Sequence, residues 1–146
     1  MNDKIPVGSV RNFIFGGNAN FTIQSEKTGT HYTYKVKRSK KNSSVFFICI
    51  SDDYVGYLRF KGEKIYYNQG MNFEVSVRLQ KQVKALLWVI ANSDKLDGNV
   101  TVYHCGRCAC CGRKLTDPES IERGFGPECF KRLYKKELCL VWKTKS

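Results

Sequence analysis

Four cysteines, Cys105, Cys108, Cys110 and Cys111, crowd into seven residues directly after His104, and another follows at Cys129. No other feature of the chain restricts its fold so strongly, because thiols this close must either share a cation or sit as reactive groups at one point of the surface. Cys49 and Cys139 bring the total to seven. An odd number, tightly clustered, fits metal ligation better than a disulfide framework. The start, Met1-Asn2-Asp3-Lys4, lacks the charged-then-apolar layout of a secretory signal, so a cytoplasmic protein is expected.

The ligand pattern is His104-x3-Cys108-x2-Cys111, then 17 residues, then Cys129. A Cys-x2-Cys pair closes a tight knuckle in which both sulfurs face one cation, and the longer spacing lies in the range of four-ligand zinc modules. Gly124-Phe125-Gly126-Pro127 precedes Cys129, which predicts a helix with Pro127 at its first position and Cys129 in its first turn, where free amides favour a thiolate. Knuckle and helix start together give a treble-clef-like module. For the fourth ligand His104 is preferred and Cys105 is the alternative. Cys110 adjoins Cys111, and Cys139 lies ten residues past Cys129, about 15 Å along a helix.

One structural Zn2+ is the expected cofactor. A catalytic zinc needs an open coordination position and a general base. Glu122 and Glu128 are the candidates, and neither lies in the His-x-Glu layout of zinc deaminases. No catalytic residue is assigned, and neither enzymatic activity nor a small-molecule substrate is expected.

Ahead of the cysteines, Val10 to Tyr67 carries strand signals. Residues 20–25 and 31–37 alternate apolar and polar around Glu26-Lys27-Thr28-Gly29, which predicts a hairpin. Val45–Ser51 reads as a buried strand containing Cys49 as a small hydrophobe. Asp52-Asp53 is a turn, and Tyr54–Phe60 and Ile65–Tyr67 are further strands. Ser76 to Asn92 has Val83, Leu86, Leu87 and Ile90 at helical spacing, which predicts one amphipathic helix with Trp88 covering its junction with the sheet. Val100–Tyr103 is a strand leading into the cysteines. The expected fold is α+β: an antiparallel sheet (meander or small barrel) with one packed helix over residues 1–103, plus the zinc module over 104–146. The longest apolar run, Ala85 to Ala91, is far short of a membrane span.

Net charge is +12, and it is uneven. Residues 1–50 carry eight Lys or Arg against two acids and residues 101–146 ten against five, whereas the middle is seven against six. Basic ends on a folded chain point to a polyanionic partner, here nucleic acid. Candidate phosphate contacts are Lys35, Lys37, Arg38, Lys40 and Lys41 in one patch, and Arg107, Arg113, Lys114, Arg123, Lys131, Arg132, Lys135 and Lys136 in another. Tyr32, Tyr34, Tyr66 and Tyr67 are candidates for base stacking. No recognition-helix motif is evident, which favours single-stranded DNA or RNA over specific duplex reading. A protein-binding inhibitor acting on a host protein is the alternative, since it too would use a basic face.

The run Cys108-x2-Cys111-Gly112-Arg113-x-Leu115-Thr116-x-Pro118-x-Ser120-Ile121, closing with Gly124-x-Gly126-Pro127-x-Cys129, resembles a motif of an uncharacterised family of phage and phage-associated proteins. His104 matches a strand-end histidine of that pattern. Gly16-Gly17-Asn18-Ala19-Asn20-Phe21-Thr22, Thr28-Gly29 and Tyr32-Thr33-Tyr34 are also similar. The resemblance implies a zinc-binding phage protein, in a host-cell cytoplasm, with no established activity. It also implies that Cys105 and Cys110 are spectators.

Overall fold

The computed structural model describes residues 3–96 and 98–132. Strand β1 (Asp3–Lys4) and a single 3₁₀ turn precede helix α1 (Val10–Ile14). Strands β2 (Asn18–Ser25), β3 (His31–Arg38), β4 (Val45–Ile50), β5 (Asp53–Lys61) and β6 (Lys64–Gln69) follow, then helices α2 (Phe73–Arg78) and α3 (Gln80–Ala91). Strand β7 (Val100–His104) and helix α4 (Pro118–Arg123) come next, and helix α5 begins at residue 127 and is described to 132.

The seven strands among the described residues form one antiparallel sheet in the order β1-β7-β2-β3-β4-β5-β6. The meander expected from the tight turns is present as β2 to β6. Among the described residues the sheet is open, with β1 and β6 as edges, so the barrel alternative does not apply. Strand β7 returns to pair with β2 on its free side, which brings the cysteine segment to the start of the meander.

Alternation sorts the side chains between two faces. The inner face carries Phe21, Tyr34, Val36, Phe46, Ile48, Ile50 and Leu58, all buried. Phe21 stacks on its cross-strand partner Tyr34, with ring centroids 5.4 Å apart. The Tyr34 hydroxyl donates to the Gln82 carbonyl of α3 at 2.7 Å, which anchors that helix on the inner face. Leu86, Val89 and Ile90 of α3 are buried, whereas Lys81 and Lys84 are exposed.

Several sequence expectations are corrected. Val10–Ile14 is helical, not extended: Val10, Phe13 and Ile14 are the buried positions, and their spacing of three and four is that of one helix face. The single helix over 76–92 is two, divided at Leu79, whose φ of −103° and ψ of 16° leave the helical region. The apolar stripe continues across Leu79 because that residue is itself buried. Trp88 is 51 % exposed and borders a hollow over Ile23, Tyr32 and Val100, so it flanks the sheet junction without sealing it. Cys49 is only half-buried, since β4 turns Phe46, Ile48 and Ile50 inward and leaves Phe47 and Cys49 on the other face.

Candidate metal centre and its cationic surroundings

The chain leaves β7 at His104 and enters a short hairpin closed by a bridge between Arg107 and Lys114. The Cys108 amide donates to the Arg113 carbonyl and the Gly112 amide to the Cys108 carbonyl, both at 2.9 Å, so the segment folds back within one turn. Gly112 takes a φ of 78°, a left-handed conformation open to glycine that turns the chain directly after Cys111. The amides of Cys110 and Cys111 point at Cys108 Sγ, at 3.4 and 3.5 Å.

Helix α4 separates the knuckle from Cys129. Asp117 caps it by accepting from the Ser120 amide at 3.1 Å, with Pro118 at its start. Gly124 ends it in the left-handed region. The sequence reading missed this helix, although Asp-Pro at one end and Gly at the other are ordinary boundary signals. The chain then restarts at 127, and Cys129 falls in the first turn of α5 as its sequence context indicated.

These elements bring Cys108, Cys111 and Cys129 together, with all three sulfurs within 4.8 Å of one another. Cys108 and Cys129 are buried and Cys111 is exposed. Burial pushes the Cys108 thiol up, but amide hydrogen bonds from Gly126, Cys111 and Cys110 outweigh it and hold the thiol below its ordinary range. The Arg113 amide lowers Cys111, yet burial and the Cys108 and Cys129 sulfurs together push it up. Burial likewise raises Cys129, against the helping hydrogen bond of Arg132. Three thiolates this close repel one another, and a cation among them removes that penalty. The site therefore fits a metal ion: amide donors aimed at sulfur, one thiol already lowered, and two more held up chiefly by burial and crowding.

His104 takes another role. Its register opposite Phe21 turns the ring into the core, where it is fully buried and stacked on Phe13 with centroids 5.6 Å apart. Nδ1 accepts from the Gly106 amide at 2.9 Å, so Nε2 carries the proton and donates to the Ile121 carbonyl. Both ring nitrogens are engaged, and no lone pair is left for a metal. His104 instead ties β7 to α4, which corrects the preferred fourth-ligand assignment. Cys105 is exposed and outside the sulfur cluster. Cys110 contributes its amide rather than its thiol. Cys139 lies outside the described residues.

The Arg132 guanidinium donates to Cys129 Sγ at 3.4 Å, at the position where a regular finger would offer a further ligand. Beside Cys111 and Cys129 opens a hollow of about 370 Å³ lined by both cations and acids, Arg113, Lys114 and Arg132 with Asp117 and Glu128.

The knuckle is joined to the sheet. Buried Ala109, Leu115 and Phe125 belong to the same core as Phe13 and Phe21, with Phe13 and Phe125 rings 6.1 Å apart. Asn18 is the hinge of this arrangement: it pairs with Lys37 across β2 and β3, and its amide donates to the Ala109 carbonyl. Gly17, one residue earlier, lies close to both the Arg38 guanidinium and the Cys110 carbonyl.

The cationic residues expected from the sequence sort accordingly. Lys35, Lys37, Lys40, Lys41, Arg113, Lys114 and Lys131 are exposed. Arg38 is exposed but held, donating to the Phe15 carbonyl at 3.3 Å over the Phe46 ring. Arg107 reaches the Gly112 carbonyl, and Arg123 lies half-buried over Phe130, 4.1 Å from the ring centroid. Lys135 and Lys136 lie outside the described residues.

The profile of a family of unknown function (DUF6011) matches residues 99–134. The matched segment is β7, the knuckle, α4 and the start of α5, so it contains all three clustered cysteines. No curated protein and no solved structure matches the chain. Among the described residues no helix is long and apolar enough to cross a membrane.

Proposed function

We propose that the chain is a non-enzymatic nucleic-acid-binding protein in which one structural Zn2+, held by Cys108, Cys111 and Cys129, fixes a cationic finger against a basic sheet. Three thiolates favour zinc among common divalent cations, and the fourth position of its tetrahedral set falls to a ligand outside the cysteine cluster. Zinc here holds the knuckle and α5 in place, and the Arg132 guanidinium offsets thiolate charge.

The observation that carries the nucleic-acid reading is the junction at Asn18. Lys37 stands opposite Asn18 in the sheet, and the knuckle is bonded to Asn18 from the other side. Two basic segments far apart in sequence are thereby tied to one residue, which supports reading their cations as one phosphate-binding surface. A phage origin and a host-cell cytoplasmic location belong to the same proposal and rest on the sequence resemblance.

The test is charge reversal on both sides of the junction. Lys37→Glu and Arg113→Glu each weaken binding of a fluorescent oligonucleotide, whereas Lys84→Glu, on the exposed side of α3, leaves it unchanged. Equal effects at all three positions would reduce the reading to bulk charge.

A second reading, a phage inhibitor docked on a host protein, is favoured by the exposed apolar side chains of Met71, Phe73 and Val77 on and beside α2. It predicts no affinity for oligonucleotides even at low salt.

A further inference from the structure

The sheet face turned away from the core is not the polar surface that a half-buried antiparallel sheet normally presents. Register defines it row by row. One row runs Asn18, Lys37, Phe47, Tyr57, Asn68 across five strands, from the knuckle side toward the β6 edge. Beside it lie Lys35, Cys49 and Tyr54 on one flank, and Val45, Arg59 and Tyr66 on the other. Phe47 is 39 % exposed, Tyr54 43 % and Tyr66 47 %. Phe47 sits between two tyrosines, its ring centroid 6.2 Å from that of Tyr54 and 6.4 Å from that of Tyr57, steeply inclined to both. No outer-face position of β3 to β6 is Asp or Glu, while Lys35, Lys37, Arg59, Lys61 and Lys64 are all there and all exposed.

Exposed rings cost solvation and invite aggregation unless something covers them. What covers these must tolerate strands whose outer-face charges are all cationic, with Asp52, Asp53 and Glu63 only at the turns, and must offer flat apolar faces. Single-stranded polynucleotide has both, with phosphates for the lysines and unpaired bases for the rings. A duplex does not, because its base faces are already stacked.

We propose that the outer face of β3 to β6 is a base-stacking platform for single-stranded polynucleotide, with Phe47 and Tyr57 as its centre and Tyr54 and Tyr66 at its margins. The inference deepens the nucleic-acid reading above and rests on it. The strand enters over the junction at Asn18 and Lys37 and crosses β4 and β5, with phosphates on Lys35, Lys37 and Arg59. Three of the four tyrosines singled out in the sequence for stacking do not take part. Tyr34 is buried, Tyr67 faces inward and donates to the Val55 carbonyl, and Tyr32 pairs with Ile23 on the inner side. Only Tyr66 reaches the outer face. The missed residues, Phe47, Tyr54 and Tyr57, emerge once strand parity is known.

The experiment compares four labelled probes at one salt concentration: a 15-nucleotide oligo(dT), oligo(U) of the same length, a matched duplex, and an abasic strand with the same phosphates. Wild-type protein is expected to bind oligo(dT) or oligo(U) about tenfold or more tighter than the abasic strand and the duplex. Phe47→Leu with Tyr57→Leu keeps apolar bulk and removes the stacking faces. It is expected to weaken base-bearing strands by about ten- to hundredfold, to leave abasic binding unchanged, and to melt as wild type. Equal affinity of wild type for abasic and base-bearing strands, or an unaffected double variant, would overturn the platform while leaving phosphate binding intact. No affinity for any of the probes would overturn the nucleic-acid reading and the platform together.

Discussion

The backbone amide of Asn18 donates to the carbonyl of Ala109 at 2.6 Å, so the first residue of β2 is bonded to the middle of the cysteine knuckle. Gly16 shows how close the two segments lie. A Cβ placed there would meet the Ala109 Cβ, the Ala109 carbonyl oxygen and the Phe125 ring, each at 2.9 Å. Gly16→Ala is therefore expected to destabilise the protein by about 1–3 kcal/mol through overpacking. It should also weaken metal retention, because the strain falls on the knuckle. Thermal melts with and without a competing chelator read both effects. An unchanged melt would mean that sheet and knuckle are not docked as described.

Ligand substitutions separate the three sulfurs from their neighbours. Cys108→Ser, Cys111→Ser and Cys129→Ser are each expected to lose bound metal, measured by elemental analysis of purified protein. Cys105→Ser, Cys110→Ser and His104→Gln should keep it. His104→Gln should still lower stability by about 1–3 kcal/mol, since it disturbs two buried hydrogen bonds. Loss of metal in His104→Gln, without loss of fold, would return that residue to the ligand set.

His104 also shows where the sequence was legible and where it was not. The Cys-x2-Cys spacing and the Pro-start helix were local signals, and the three sulfurs follow from them. Whether a strand-end histidine turns toward the knuckle or into the core depends on β7 pairing with β2 opposite Phe21, a contact between segments about eighty residues apart in sequence. The same limit applies to the tyrosines, whose faces are set by register, and to the joining of knuckle and sheet through residues 16–18, which no local signal announces. The helix at Val10–Ile14 and the capped α4 were legible in spacing and in cap residues, and were missed by reading β-branched and turn residues alone.

Metal removal should loosen more than the finger. Cys108 and Cys129 belong to the continuous core along with Ala109, Leu115 and Phe125. Chelation is expected to lower the melting temperature of the whole domain and to open the thiols to alkylation. A melt indifferent to chelator would make the metal ornamental.

Tyr34 gives a pH signature. Burial, with a smaller effect from Tyr32, raises its hydroxyl well above the ordinary tyrosine value of about 10. Above that pH the unfolded chain loses the proton while the folded chain keeps it, so stability falls as pH rises, by about 1.4 kcal/mol per unit from this group. Below it the contribution is fully present. Tyr34→Phe should cost about 1 kcal/mol at neutral pH, from the lost bond to Gln82. Its denaturation curves should then be flatter between pH 10 and the pH of global unfolding. An equally steep curve in the variant would shift the cause to Tyr54 and Tyr67, which are raised in the same direction.

The most direct test of the central claim is the salt dependence of oligo(dT) binding by zinc-loaded protein. A strand lying across Lys35, Lys37, Arg59 and the finger cations releases counterions from at least about four phosphates, so log K should fall against log salt with a slope of about −3. Lys37→Glu should make that slope shallower. Absence of binding at low salt, or binding that salt does not weaken, would contradict the claim that this surface was built for a nucleic-acid strand.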